Sequence, residues 1–484
     1  MISFNQQNIV PVLQDRQAAR MTESEGYIME TGRKLKLSEK LAYGLADFPE
    51  AVNSILAAFL TMFYTDSIGM AAGVVGTMFL ISKLFDGVTD ILAGVLIDKT
   101  RTRWGKARPW LLWLSVPTGL AVILIFFIPQ NGSPTMQLIY AFLTYNLFTA
   151  IMFTITGIAR SSLLALMTQD AKERGSMAAF GMFFGLGSTI LGCSFTFPLV
   201  FRFGGDITAW RTVFIIYGVV VTLGLLYGFF FSKEYVVSVA EATNSKEKLS
   251  IVEEFKLFFT NKYLLLALVM TVLVNFVTQV NSSSQTYFYT YTMGDPMLTT
   301  SLNLVSIVPI LVSIVVVVGP CLAKFGKKKT MYIGIVGQLV GALLRGIAGM
   351  TQNVPLLVAG TVISGIVTGC LAVPVSTLFA DGIDYGEYKT NKRIEGMGSA
   401  ITSFSQKISS GIAMASVGWV LSFTGYVANA AQNAATNNGI IALYAWAPAV
   451  TLIAIYLILR FVYHYDQIAD EVISTLNVRR NGGK

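Results

Sequence analysis

Charge is scarce in this chain. Only 13% of its 484 residues are Asp, Glu, Lys or Arg, against about a quarter in an ordinary soluble domain, and that excludes a water-soluble globule of this size. Histidine is rarer still: His464 is alone, which argues against histidine-based zinc or iron chemistry. Cys193, Cys321 and Cys370 are far apart and sit inside apolar runs, so neither a disulfide framework nor a thiolate metal cage is expected. A phosphate-cradling loop is also missing, since Gly326-Lys-Lys-Lys-Thr330 lacks the Walker spacing. What the chain has in abundance is apolar length: 54% of it is hydrophobic and its mean hydropathy is +0.62.

Runs of about twenty apolar residues, each long enough to cross a hydrocarbon core, recur near 49–67, 72–97, 110–129, 136–160, 176–201, 211–232, 263–291, 298–322, 330–350, 354–379, 396–423 and 440–463. These twelve spans are expected to be helices, because the bilayer offers no water to satisfy the backbone and the runs are too long for tilted barrel strands. The expected fold is an all-α polytopic membrane protein. Linkers after odd-numbered spans carry few cations. Those after even-numbered spans are crowded: Lys99, Arg101, Arg103, Lys106 and Arg108 follow span 2, Lys172 and Arg174 follow span 4, and Lys324, Lys327, Lys328 and Lys329 follow span 8. The positive-inside rule then puts both termini in the cytoplasm. The net charge of +8 reflects topology, and a nucleic-acid partner loses its support.

The organisation expected is a cytoplasmic tail over 1–48 without a signal-peptide h-region, a first six-helix half over 49–232, a polar linker over 233–262, a second half over 263–463 and a cytoplasmic tail over 464–484. In the linker, Ser250 and Glu253 have capping-box spacing ahead of a short amphipathic helix.

Ionisable side chains inside spans are the informative positions, because lipid has no use for them. Span 2 holds Lys83, Asp86 and Asp90. Aspartates four apart project from one helix face about one turn apart, and two such carboxylates in a low dielectric cannot both stay ionised without a counter-cation. Either a proton or a hard ion such as Na+ joins them, or a salt bridge ties span 2 to another helix. Lys407 lies near the middle of span 11 with no acid on its own helix. It is expected to neutralise the span 2 pair when no cation is bound, the alternative being a lysine that snorkels to the interface. Asp47, Glu50 and Asn53 around the start of span 1, Arg160 in span 4, and Thr402 in span 11 are candidate substrate contacts. Span 7 is polar in its middle, with Asn275, Thr278, Gln279, Asn281, Ser282 and Gln285 followed by Tyr287, Tyr289 and Tyr291. Amides, hydroxyls and aromatic faces suit a hydroxyl-rich solute, and they serve equally as helix-helix glue. With no site for ATP, an ion gradient is the expected energy source.

Two segments carry a resemblance. Asp98-Lys-Thr-Arg-Thr-Arg-Trp-Gly-Lys-Ala-Arg-Pro-Trp110 after span 2 and Asp381-Gly-Ile-Asp-Tyr-Gly-Glu-Tyr-Lys-Thr-Asn-Lys-Arg-Ile-Glu-Gly396 after span 10 resemble the signature loops of the glycoside-pentoside-hexuronide cation symporters (melibiose permease-like) of the major facilitator superfamily. Lys40-Leu-Ala-Tyr-Gly-Leu-Ala-Asp47 is similar to that family's start of helix 1. The resemblance implies 12 transmembrane helices in two pseudosymmetric six-helix bundles, no enzymatic activity and no cofactor, and uptake of a small-molecule sugar or glycoside with Na+, H+ or Li+ by a monomer in a bacterial inner membrane. By position it implies a cation site at Asp86, Asp90, Thr89 and Thr154, with Lys407 on the family's helix 11 lysine. Alternating charges at Asp98, Arg101 and Arg103, and at Asp381, Asp384, Glu387 and Arg393, are expected to make gating ion pairs at the cytoplasmic end. The sugar half departs from the melibiose pattern: Gly157, Ser161 and Met182 stand where that pattern has an aspartate, a tryptophan and an arginine, and its helix 1 aspartate falls on Ala51, next to Glu50. That argues against melibiose and leaves another glycoside, a pentoside or a uronide. A competing class is a Na+-coupled lysolipid carrier of the same fold.

Overall fold

The computed structural model describes residues 34–168, 170–235, 251–391 and 395–480, apart from the side chains of Val88, Ile91, Asp98, Ala171, 251–255, 395–402, Asp470 and Arg480. The described chain is helical throughout, without a named strand among the described residues. The apolar stretches fall on helix over most of their length, although 126–129 of the third lie beyond the end of its helix at Ile125. Among the described residues, seven helical segments satisfy the length and apolarity needed to cross a membrane on their own, including Pro134–Met167, Ile207–Phe231 and Lys262–Thr292. Spans 8 and 9 are two helices that meet directly at Gly326, whose φ of 75° and ψ of 175° leave the helical region and are adopted at low cost only by glycine.

Two segments run further than the apolar pattern suggests. The helix of span 10 continues through the Asp381 motif to Thr390 and stops where Asn391 turns left-handed (φ 55°) and donates its N–H to the Glu387 carbonyl, a common way to end a helix. The motif is therefore mostly the polar end of a long helix. At the other end of the chain, Leu37–Leu45, expected in the loose tail, is a helix of its own. It is held because Tyr43, Ala42 and Ala46 are buried, with Gly181 and Gly228 close beside them, and because Lys40 reaches Glu173 at 2.9 Å. The linker helix is present as Ile251–Thr260, while Ser250 lies outside the described residues.

The two ends of the molecule are held differently. One apolar core runs through the first half and continues into Tyr287, Leu302, Leu357, Leu421 and Ile440 of the second. These are residues near the end away from the basic linkers. A separate core of Tyr263, Met331, Leu378, Leu459 and Tyr463 fills the basic end of the second half and, among the described residues, takes nothing from the first. Along spans 2 and 11 the backbones touch: a Cβ on Gly418 would lie 2.4 Å from the Ala72 carbonyl oxygen, and one on Gly76 would lie 2.9 Å from that of Ala415. The halves are thus packed together at the far end and have separate cores at the basic end.

A polar latch completes the far-end closure. Asp66, at the end of span 1, accepts hydrogen bonds from Tyr291 of span 7 at 2.5 Å, from Tyr426 beyond span 11 at 2.5 Å and from Thr65 at 2.6 Å. Asn429 donates to its backbone carbonyl at 2.7 Å, and Thr65 also meets Tyr287 at 2.8 Å. The latch is built on an internal repeat. Phe63-Tyr-Thr-Asp-Ser67 and Phe288-Tyr-Thr-Tyr-Thr292 are both π-helical turns, and each leads into a glycine of positive φ, Gly69 at 82° and Gly294 at 74°. Asp66 and Tyr291 occupy the same place in the two copies and meet each other. A hydrogen bond to a carboxylate is worth about 1.5–3 kcal/mol, so Tyr426→Phe is expected to open the far end about tenfold more often. The check is maleimide labelling, from that side, of a cysteine at Ser282 in a chain freed of its own cysteines. Unchanged labelling would refute the latch.

Candidate cation and substrate site

Span 2, Ala72–Lys99, presents its charged face to spans 4 and 11. Lys83 Nζ lies 2.8 Å from Asp86 Oδ2, with the pair almost fully buried at 8% and 2% side-chain exposure, and 5.4 Å from the centre of the Tyr145 ring. Lys407 Nζ crosses from span 11 to donate to Asp90 Oδ1 at 2.5 Å and to the Asp86 carbonyl at 2.7 Å. Ser403 donates to the other Asp90 oxygen at 2.8 Å. Each aspartate therefore has its own ammonium, one from the same helix and one from the opposite half. Asp90, at 25% exposure, is the accessible member. The ionisation rule for close carboxylates is met here by fixed cations.

The expected threonines point elsewhere. Thr89 donates to the carbonyls of Asp86 at 3.1 Å and Phe85 at 3.5 Å on its own helix, a common fate of mid-helix threonines. Thr154 donates to the Thr149 carbonyl at 3.1 Å. It is Thr149 whose hydroxyl reaches Asp86 Oδ1, at 3.4 Å. The cause is a π-helical stretch, Leu147–Phe153, which resets the facing of span 4 just before Thr154. Thr149 on Asp86 and Ser403 on Asp90 give each aspartate a hydroxyl neighbour, and oxygen ligands of this kind suit a hard cation. Among the described residues, no group of three or more His, Cys, Asp or Glu side chains is placed to hold a metal ion.

A second pair lies nearer the basic end. Arg160 NH2 meets Asp47 Oδ1 at 2.7 Å, and its guanidinium lies 4.9 Å from the Tyr43 ring centre. Span 5 closes over both: a Cβ on Gly185 would fall 2.3 Å from Asp47 Oδ2, and one on Gly181 would fall 3.3 Å from Arg160 NH1. The GxxxG spacing of span 5 seats an ion pair, beyond simple helix packing. Glu50 is exposed, yet it lies inside the helix assembly within electrostatic range of Asp47, Arg160 and Lys83. No residue among the described ones pairs with it. Asn53 is half-buried one turn further on. On span 4, a Cβ at Gly157 would meet nothing within 4 Å, and Ser161, one turn on, is exposed.

From span 7, Gln279 is half-buried, and the side-chain oxygen of Asn281 is buried with no hydrogen-bond partner. Tyr287 and Tyr291 join the Asp66 latch, and Tyr289 bonds Tyr444 at 2.6 Å. The side chain of Thr402 lies outside the described residues, as do that of Asp98 and all of Arg393.

Of the motif acids, Asp381 is paired within its own half. Lys327 holds Asp381 at 2.7 and 2.8 Å, both in the second half. Asp384 and Glu387 are engaged as well. In the loop after span 2, Arg103 stacks on Trp104 at 4.6 Å, and Arg101 is exposed and engaged. The loop's backbone is fixed by Glu234, at the end of span 6, which accepts the N–H groups of Lys106, Ala107 and Arg108 at 2.9, 2.8 and 2.8 Å. The sequence reading missed Thr149, Ser403, Asp66 and Glu234. The repeat of Phe-Tyr-Thr before a glycine was the available signal for Asp66, whereas nothing local marked the other three.

A sequence profile of the family described as MFS/sugar transport protein matches residues 42–467. The isoprimeverose transporter of Lactiplantibacillus pentosus is 33% identical over 450 residues, covering 91% of this chain and 91% of its own. The glucuronide carrier protein homolog of Escherichia coli (strain K12) is 28% identical, covering 88% and 92%. Among solved structures, a D-xylose-proton symporter superposes with a TM-score of 0.61 at 16% identity, covering 88% of this chain and 98% of that one. The nucleoside transporter NupG also reaches 0.61, at 14% identity. At such identities the structures speak for the fold alone, and the profile and the relatives speak for descent. The chain belongs to the MFS/sugar transport family, as a major facilitator transporter of the glycoside-pentoside-hexuronide symporter group.

Proposed function

We propose that this chain carries a sugar, glycoside, pentoside or uronide into the cell together with Na+ or H+, by alternating access. The observation that supports the reading best is Lys407 of the second half lying on the acid pair of the first, 2.5 Å from Asp90. An entering cation competes with that ammonium for the Asp90 carboxylate. Once displaced, Lys407 no longer ties span 11 to span 2 and is free to meet a substrate hydroxyl. Substrate then binds beside a neutralised acid pair. Because coupling is reciprocal, each ligand raises the affinity of the other by the same factor, typically about 5- to 150-fold. Basic linkers put the end with separate cores in the cytoplasm, so the structure corresponds to a state closed outside, with Lys407 standing in for the cation. Rocking the two halves around the fixed site exposes it to either side. The names of the relatives, sugar and glycoside carriers, lend a lysolipid substrate no support.

Asp86→Cys and Asp90→Cys are expected to abolish sugar accumulation driven by an imposed Na+ or H+ gradient in reconstituted vesicles. Accumulation surviving in both variants would sink the cation-site assignment. Removing one partner of a buried ion pair costs about 3–5 kcal/mol. Lys83→Ala, which strands a carboxylate only 2% exposed, should therefore lower the thermal unfolding midpoint in detergent clearly more than Lys407→Ala, whose partner is 25% exposed. Equal shifts would mean the two pairs are not energetically distinct.

A further inference from the structure

The two Lys–Asp pairs and the Arg160–Asp47 pair leave one charge over. Around the three pairs, and apart from Asp66 in the far-end latch, four carboxylates (Asp47, Glu50, Asp86 and Asp90) meet three cations (Lys83, Arg160 and Lys407). The three pairs are close, at 2.7, 2.8 and 2.5 Å, so the excess falls on Glu50, the exposed member of the group. It stands one helical turn beyond Asp47 and lies within electrostatic range of both Arg160 and Lys83; on span 4, three residues before Arg160, Gly157 opens onto free space.

We infer that this site takes neutral glycosides and rejects uronides and sulfonated sugars, with Glu50 as the specificity-determining residue. The inference rests on the transport reading above and narrows its substrate. A lone exposed carboxylate is an acceptor with no donor, and sugar hydroxyls supply donors without charge. A carboxylated or sulfonated sugar would bring a second negative charge beside the first, and like charges juxtaposed in a recognition site are strongly disfavoured. Arg160 is not available to offset it. Its guanidinium is committed to Asp47, and span 5 closes on the pair through Gly181 and Gly185, so drawing Arg160 away would strand Asp47 as a second unpaired carboxylate near Glu50. One entering monovalent cation takes over Asp90 and releases Lys407, so that four positive charges then face the four carboxylates. The loaded site is then neutral with a neutral sugar and remains negative with an acidic one.

The test is competition for uptake by the reconstituted protein under a fixed cation gradient, using pairs of glycosides that differ only in a C6 hydroxymethyl or carboxylate, such as methyl glucoside and methyl glucuronide, and a xylosyl-glucose disaccharide as the radiolabelled probe. The wild type should favour the neutral member of a pair by about tenfold or more. Glu50→Gln, which keeps the shape and removes the charge, should shrink that ratio about tenfold, and Glu50→Asp should keep it. A wild type that takes the uronide as well as its neutral partner overturns the inference while leaving sugar transport intact, and so does a ratio unmoved by Glu50→Gln. Uptake of no sugar of either kind, with gradient or without, overturns the transport reading and this inference with it.

Discussion

A carboxylate taken out of water has to find a positive charge, and the middle of this molecule is arranged around that requirement. Asp86 and Asp90 share one face of span 2, and neither is left to itself: Lys83 answers the first from the same helix, Lys407 the second from across the molecule. The second pairing has a structural cost and a structural reward. It requires span 11 to lie against span 2, which is possible because glycines at 76 and 418 let the two backbones meet. In return, a contact between halves depends on which cation occupies Asp90. An electrostatic need at one atom becomes a question of how two bundles sit together.

The far end solves a related problem without any cation. Asp66 is surrounded by phenols, a threonine and an asparagine, so its closure rests on hydrogen bonds between the halves. At the basic end, the ion pairs that are seen, Lys40 with Glu173 and Lys327 with Asp381, brace each half internally. Glu234 likewise ties the loop after span 2 to span 6 of the same half. Separate cores at one end and bonding between halves at the other is what two units pivoting about a shared site require.

Much of this was legible in the sequence, and what was not has physical causes. Apolar length gave the spans because lipid imposes it, and the spacing of Asp86 and Asp90 put them on one face because helices repeat every 3.6 residues. Lys407 could be matched to them because charge must balance in a low dielectric. The hydroxyls around the acids were harder. Thr154 has the expected residue type, but a π-helical stretch lies just ahead of it and leaves Thr149 on Asp86; such a bulge has no local signature in composition. Tyr287 and Tyr291 read as an aromatic platform because their partner, Asp66, is more than two hundred residues away in the chain. The polar end of span 10 read as a loop because apolar content measures the membrane's thickness, and helices do not have to stop where the membrane does.

The twin Phe-Tyr-Thr turns bear on ancestry. If the two halves descend from one duplicated gene, the ancestral copies carried the same side chain at the place now held by Asp66 and Tyr291, where the molecular dyad brings them face to face. Two acids there would repel and two phenols would bond only weakly, so the present acid-phenol couple could arise only once the copies were free to drift apart. Fusion into a single polypeptide gave them that freedom, and this spot on the axis is where the symmetry had most reason to break.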